Sequence, residues 1–417
     1  WFAAKYGGFN DTNNSGTPDQ TTEWDANGDG VPDNYFLVTN ALGLKAQLQK
    51  AFDAIIASSR PSGGVSASGA RYVVGGTLAY QAKFRNDDWT GDLEAHNLNS
   101  DGTLDAPIIW TASGKLPAPA SRKIFISKPS GSSYVATPFT VAGLPTAMQT
   151  SLTVGLPSGF VLADVVNYLR GDQSKEVGHV GGIYRTRTTV IGDILDSTPA
   201  VAFRSGFGYQ NLPATINSVA TGAGTYQAFV AAKPLNPVVY VGSNDGMLHA
   251  FDGAASGGNE LFGYIPYAVS GKLGRLTQPS YTHTYFVNGS PVLGDVYNGA
   301  WRTTVITSMG QGGRGLFALD VTNPSGFGAG SLMWEFNDTT DADMGTLIGT
   351  PSVPTLTQDG KWSVAVGNGY NSARNRAEMF ILDANTGAKV AEIDTGAGSS
   401  TTPNGMSSAV IADTDVD

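Results

Sequence analysis

The feature that most constrains this chain is a hairpin that recurs. Residues 238 to 252 read VVYVGSNDGMLHAFD. Val238 to Val241 form an apolar run of β-formers, Ser243-Asn244-Asp245-Gly246 turn the chain, and Met247 to Phe251 resume as a second strand that stops at Asp252-Gly253. Asn-Asp-Gly between two apolar runs is a hairpin signal, because Asn and Gly accept the positive φ of tight turns. TTVITSMGQGGRGLFALD and SVAVGNGYNSARNRAEMFILD repeat the pattern, with closing acids Asp252, Asp320 and Asp383 at intervals of 68 and 63 residues. A further apolar strand is expected after each, around Phe262, Trp334 and Ile393, and GDLEAHNL (91–98) reads as a degenerate earlier copy. One such sheet cannot bury both of its faces, so units of this kind must stack on one another. The expected fold is therefore all-β, a β-propeller.

Composition agrees. Glycine numbers 54 and charged residues make up 14%, against about 25% in ordinary domains, which fits a turn-rich β protein. The net charge of −10 argues against a nucleic-acid partner. The absence of cysteine excludes disulfides, thiol catalysis and zinc-thiolate sites. No apolar run approaches the ~18 residues of a membrane helix, so the chain is not expected to span a membrane. It opens on WFAAKYGGF and closes on ADTDVD, and is read as a fragment.

The acid content is uneven: residues 1 to 35 hold six acidic residues and one lysine. Within them DTNNSGTPD and DANGDGVPD align at a spacing of fourteen. Oxygen-bearing side chains fall at loop positions one, three, five and nine: Asp11, Asn13, Ser15 and Asp19, then Asp25, Asn27, Asp29 and Asp33. Gly16 and Gly30 occupy position six, and Thr17 and Val31 occupy position seven, where a backbone carbonyl serves. This is the grammar of calcium loops, since a hard cation takes six to eight oxygens and glycine permits the sharp turn. An EF-hand would carry Glu at position twelve; Phe36 stands there in the second loop, so the loops are calcium loops of another kind. The expected organisation is an Asp-rich calcium-loop segment over 1–39, a helix and linker over 40–69, and the propeller over 70–417 with a helical insertion at about 159–171. In the middle segment Leu44, Leu48, Phe52, Ile55 and Ile56 space a helix capped by Asn40, and SGGVSASG (62–69) reads as linker.

Other motifs read as structure. Arg170-Gly171-Asp172 is an integrin-type tripeptide, but it overlaps the end of the helix, where Gly171 serves as C-cap. Of the four histidines, His96 and His249 fall in strands, and none has a second ligand at metal spacing. The glycines of Gly310-Gln311-Gly312-Gly313-Arg314-Gly315 join two strands rather than open a helix, which favours a hairpin loop over a phosphate cradle. Trp110, Trp301, Trp334 and Trp362 read as packing residues between sheets. No nucleophile elbow or Walker loop is present.

Taken together and in order, AKYGGF (4–9), EWDANGDGVPDNYF (23–36), VNYLRGD (166–172), IGDILDSTP (191–199), VGSNDGMLHAFD (241–252), GRGLFALDVT (313–322) and VGNGY (366–370) make the chain resemble the type IV pilus PilC/PilY proteins with their C-terminal propeller. The resemblance implies quinoprotein-like blades in a seven-bladed ring, incomplete here. It implies a secreted, non-enzymatic protein at the pilus tip, exported through the periplasm. Such a protein supports pilus assembly and twitching motility with minor pilins as partners, and adheres to a host-cell or abiotic surface. It also implies a calcium loop of the form D-x-D-x-D-G-x-x-D, whose first ligands would be Asp413, Asp415 and Asp417, so calcium is the expected cofactor at both ends. An alternative comes from the likeness of VGSNDGMLHAFD to quinone-cofactor propeller dehydrogenases. Those hold cofactor and calcium in a central funnel, often beside cysteines that this chain lacks. A secreted propeller scaffold of unknown partner is the plainest alternative.

Overall fold

A computed structural model describes residues 2–7, 9, 12–13, 15–25, 28–32, 62–67, 77–409 and 411. The chain divides into two compact units, Trp1–Arg60 and Pro61–Asp417. The first contains a short helix, Phe2–Gly7, and a 3-10 turn, Thr21–Glu23. The helix expected over 40–59 lies outside the described residues.

The second unit is built from successive antiparallel sheets. The first sheet orders Ser62–Ala67, Leu78–Arg85, Thr90–Leu98 and Leu104–Thr111. The stretch read as linker thus supplies an edge strand, because pairing with Leu78–Arg85 satisfies its backbone whatever its side chains. In the second sheet Ala200–Ala202, Val238–Gly242, Leu248–Asp252 and Glu260–Ile265 run side by side. The third comprises Val292–Tyr297, Trp301–Ser308, Gly315–Asp320 and Leu332–Asn337. The fourth comprises Thr355–Leu356, Trp362–Gly367, Arg376–Asp383 and Lys389–Gly398. All three recurrent hairpins fall on the second and third strands of their sheets, and GDLEAHNL takes the third-strand place in the first.

Every residue of Val238–Gly242 is buried. Alternate side chains serve different neighbours: Val239, Val241 and Phe251 pack with Tyr80, Leu93 and Trp110 of the first sheet. Val238, Tyr240 and Phe262 pack with Val305, Phe317 and Leu319 of the third. On the far side of the third sheet, Ile306, Leu316 and Phe336 meet Val364, Val366 and Phe380 of the fourth. A continuous apolar run instead of polar alternation follows from burial on both faces.

The closing aspartates have a shared local role. The Oδ1 atoms of Asp252, Asp320 and Asp383 accept the N–H two residues on, from Ala254, Thr322 and Asn385, at 3.0, 3.0 and 2.9 Å. The turn so formed receives an aromatic from the preceding sheet. Trp110 Nε1 donates to Ala254 O and Trp334 Nε1 to Ala384 O, both at 2.9 Å. Gly258 and Gly387 make room for these indoles, since a β-carbon there would stand 2.8 and 2.6 Å from them. In the second sheet Phe262 takes this place and stacks on Phe327, with ring centroids 3.7 Å apart.

Between the first and second sheets the chain inserts a hairpin, Ile124–Ser130 and Ser133–Pro138, and two helices, Thr146–Thr153 and Leu162–Leu169. The second of these is the expected helical insertion, and Gly171 beyond it has φ 107°. RKIFIS does form a strand, but it adds in parallel to Glu260–Ile265 and extends the second sheet to six strands. A buried charge chain anchors the junction. Arg122 donates to both oxygens of Glu260 at 2.6 and 2.7 Å. His249 Nδ1 lies 2.8 Å from Glu260 Oε1, and its Nε2 lies 3.0 Å from Asp245 Oδ2. Burial opposes the imidazolium, but Asp245 and Glu260 outweigh it and raise His249 to about 9.

Removing one partner of a buried pair strands the other charge, so Glu260→Ala is expected to cost about 3–5 kcal/mol, measured by denaturant unfolding. His249 is raised above its unfolded value of about 6.5, so its stabilisation is complete below that pH and is lost as pH rises through about 9. Thermal melts from pH 6.5 to 9 should fall for the native chain, and His249→Gln should flatten the slope.

Candidate metal centre

The second N-terminal loop begins with an acid that the chain curls around. That acid, Asp25, is buried. Its Oδ1 accepts from Asp29 N at 3.1 Å and its Oδ2 from Gly30 N at 2.7 Å. Asp29 Oδ1 in turn accepts from Val31 N at 2.8 Å. The position-one carboxylate is therefore drawn in by the amides of positions five and six. Gly30 has φ 79° and Gly16, its counterpart, φ 73°. No atom would obstruct a β-carbon at either position, so glycine is required for backbone angle rather than for space.

In the first loop Asn13 Nδ2 donates to Asp19 Oδ1 at 2.9 Å, and Asn13 Oδ1 accepts from Ser15 N. Positions three and nine thus lie close enough to share one cation. The Asn13 amide, against a weaker effect of burial, holds the Asp19 carboxyl below its usual range. Thr17 O, the carbonyl at position seven, accepts from Ser15 Oγ at 2.8 Å. Asp11, Asn27, Asp33, Asp413, Asp415 and Asp417 lie outside the described residues. What the described candidate residues present, carboxylate and carbonyl oxygens on tight glycine-containing turns, fits the chemistry of a hard cation such as calcium.

One acid here escaped the spacing argument. Glu23 is buried and accepts from Thr12 N, Thr12 Oγ1 and Gln20 N at 3.1, 2.9 and 3.2 Å. It closes the first loop from the 3-10 turn between the two loops. A second acidic constellation stands in the propeller unit: Asp343, Glu378 and Glu392 bring one oxygen each to within 4.8 Å of one another. The available signal was Glu378 itself, a carboxylate inside the apolar strand RAEMFILD.

Residues 191–417, just over half of the chain, match the PilY1 beta-propeller domain family. The chain belongs to that family. It is 37% identical over 406 residues to a type IV pilus biogenesis factor PilY1 homolog of Xylella fastidiosa, covering 93% of this chain and 31% of that protein. It is 38% identical over 356 residues to the type IV pilus biogenesis factor PilY1 of Pseudomonas aeruginosa strain PAK, covering 82% of this chain and 29% of that protein. The chain therefore spans under a third of the length of these curated relatives. The crystal structure of the Pseudomonas aeruginosa PilY1 C-terminal domain shares 39% identity with it, at a TM-score of 0.39, over 49% of this chain and 41% of that one.

In this PilY1-family chain the Arg170-Gly171-Asp172 tripeptide is built into the fold. Arg170 is buried and donates to Phe139 O, Pro119 O and Arg122 O at 3.0, 2.8 and 2.7 Å. Asp172 Oδ1 caps Ser174 N at 2.9 Å. An arginine consumed by three carbonyls cannot reach a receptor. Likewise Trp110, Trp301, Trp334 and Trp362 are all buried, and Gly310–Gly312 forms a turn between two strands of the third sheet. Among the described residues no helix is long and apolar enough to cross a membrane.

Because φ near 79° costs a side-chain-bearing residue roughly 1–2 kcal/mol, Gly30→Ala is expected to loosen the second loop. Amide exchange at Asp29 and Gly30 should rise about tenfold, while amides of the sheets stay unchanged.

Proposed function

We propose that the chain is part of a non-enzymatic pilus factor. In this reading it is a calcium-binding, type IV pilus tip-associated adhesin that also supports pilus assembly and twitching motility. The observation that carries this reading is the family match together with relatives named as type IV pilus biogenesis factors. Sheets buried on both faces make a rigid body suited to presenting loops. The partners we infer are minor pilins on one side and a host-cell or abiotic surface on the other, with the protein exported through the periplasm to the cell exterior.

Calcium enters this reading through the N-terminal loops. Six acids within 35 residues repel one another, and a divalent ion offsets that repulsion and orders the turns. Chelation is expected to raise hydrogen exchange across residues 10–34 and to leave the sheets protected; unchanged exchange in that segment would remove calcium from the proposal. Deletion of the gene should abolish surface pili and twitching, both restored by the native gene. A rescue carrying Asp25→Ala and Asp29→Ala should restore them only in part. Piliation and motility unaffected by the deletion would overturn the assignment.

A further inference from the structure

We propose that Asp343, Glu378 and Glu392 form a calcium site at the junction of the third and fourth sheets, with Arg374 as an arm that occupies the site and withdraws when the ion binds. The site is independent of the N-terminal loops.

Three chain segments meet there. Asp343 lies in the connection leaving the third sheet, after Leu332–Asn337. Glu378 and Glu392 stand on the neighbouring strands Arg376–Asp383 and Lys389–Gly398. Glu378 pairs with Asp394 and Phe380 with Glu392, so both glutamates project from one face of the fourth sheet. Their nearest oxygens and that of Asp343 all lie within 4.8 Å of each other. Calcium holds its ligands at about 2.3–2.6 Å, so ligands on opposite sides of one ion stand about 5 Å apart.

The charges around this point do not balance. Four carboxylates, Asp341, Asp343, Glu378 and Glu392, are tied together through two cations, Arg374 and Lys389. Two negative charges remain over even with Arg374 in place. The deficit falls on Glu378, which is fully buried. Its Oε1 has no hydrogen-bond partner; Arg374 Nη2 stands 3.1 Å away without the alignment a hydrogen bond needs. Its Oε2 receives only Asn368 Nδ2 at 3.4 Å. A buried carboxylate with one oxygen unbonded and the other held by a single long hydrogen bond is costly.

Arg374 now spans all three acids. Its Nε is 2.7 Å from Asp343 Oδ2, and its Nη2 reaches both Glu378 and Glu392. It brings one charge to three acids, and its side chain is 46% exposed, so it can swing into solvent. An all-oxygen ligand set without His or Cys selects a hard cation, and the flexible calcium sphere suits ligands from three separate segments better than the strict octahedron of magnesium.

The test uses the full chain carrying Asp25→Ala and Asp29→Ala, so that the second N-terminal loop is silent. Calorimetric titration with calcium counts and ranks the remaining ions. Glu378→Gln is expected to remove one bound calcium per chain, and Glu392→Gln, at a partly exposed position, should do the same if the first variant folds poorly. Arg374→Ala removes the competitor and should tighten that calcium by about tenfold or more, the equivalent of one charged hydrogen bond no longer to be broken. The proposal is overturned if the stoichiometry survives both glutamine variants. It is also overturned if Arg374→Ala leaves the affinity unchanged or weaker, which would make the arginine the permanent counter-ion. Equal affinity for magnesium would overturn the choice of calcium.

Discussion

Val238–Gly242 is buried along its whole length, with odd-numbered side chains committed to one neighbouring sheet and even-numbered ones to another. That two-sided commitment is the constraint from which the rest of the molecule follows. A sheet whose two faces are both apolar is not a stable object alone; it requires a partner on each side, and each partner inherits the same need. The third sheet repeats the arrangement with Val305 and Phe317 on one face and Ile306 and Leu316 on the other. Trp110 and Trp334 of two outer strands then dock on the Asp-closed turn of the next sheet, so alignment there is set by a hydrogen bond as well as by apolar contact.

Insertions are tolerated because they attach to this frame by polar contacts that only one geometry satisfies. Arg122 reaches Glu260 and the carbonyl of Arg170, while Arg170 reaches back to the carbonyl of Arg122. The two arginines thereby clasp the inserted hairpin and helix to the second sheet. A second insertion, residues 203–237, crosses to the outside of later sheets. Tyr226 of the helix Ala223–Ala232 packs with Trp301 and Trp362, and Asn217 donates to Gln358 O at 2.6 Å. Adjacent sheets are thus joined by face packing, and non-adjacent ones by a strap.

Charge is placed with the opposite logic. Several charges buried in the propeller unit are matched, as in Lys233 with Asp295 at 2.7 Å. Unmatched acids collect where the backbone turns and an ion can arrive from solvent: the N-terminal loops and the rim of the fourth sheet.

The hairpin repeats, the closing aspartates and the sharp turns at Gly16 and Gly30 were legible from residue types alone, because turns are local: Gly30 needs its φ whatever surrounds it. So was the structural character of Gly171 and of the four tryptophans. The edge strand Ser62–Ala67 was not legible, since a Gly- and Ser-rich segment has no pattern and becomes a strand only because an unpaired edge is beside it. Nor was the parallel addition of Ile124–Ser130 to the second sheet, a pairing across more than a hundred residues. The charged state of His249 and the gathering of Asp343, Glu378 and Glu392 depend on acids brought together from distant segments. The sequence by itself therefore determined the repeating unit and its turn chemistry, which short-range sterics dictate. Only the tertiary structure decided which acids meet and which arginine stands among them, because electrostatic coupling depends on distance in space and not on distance along the chain.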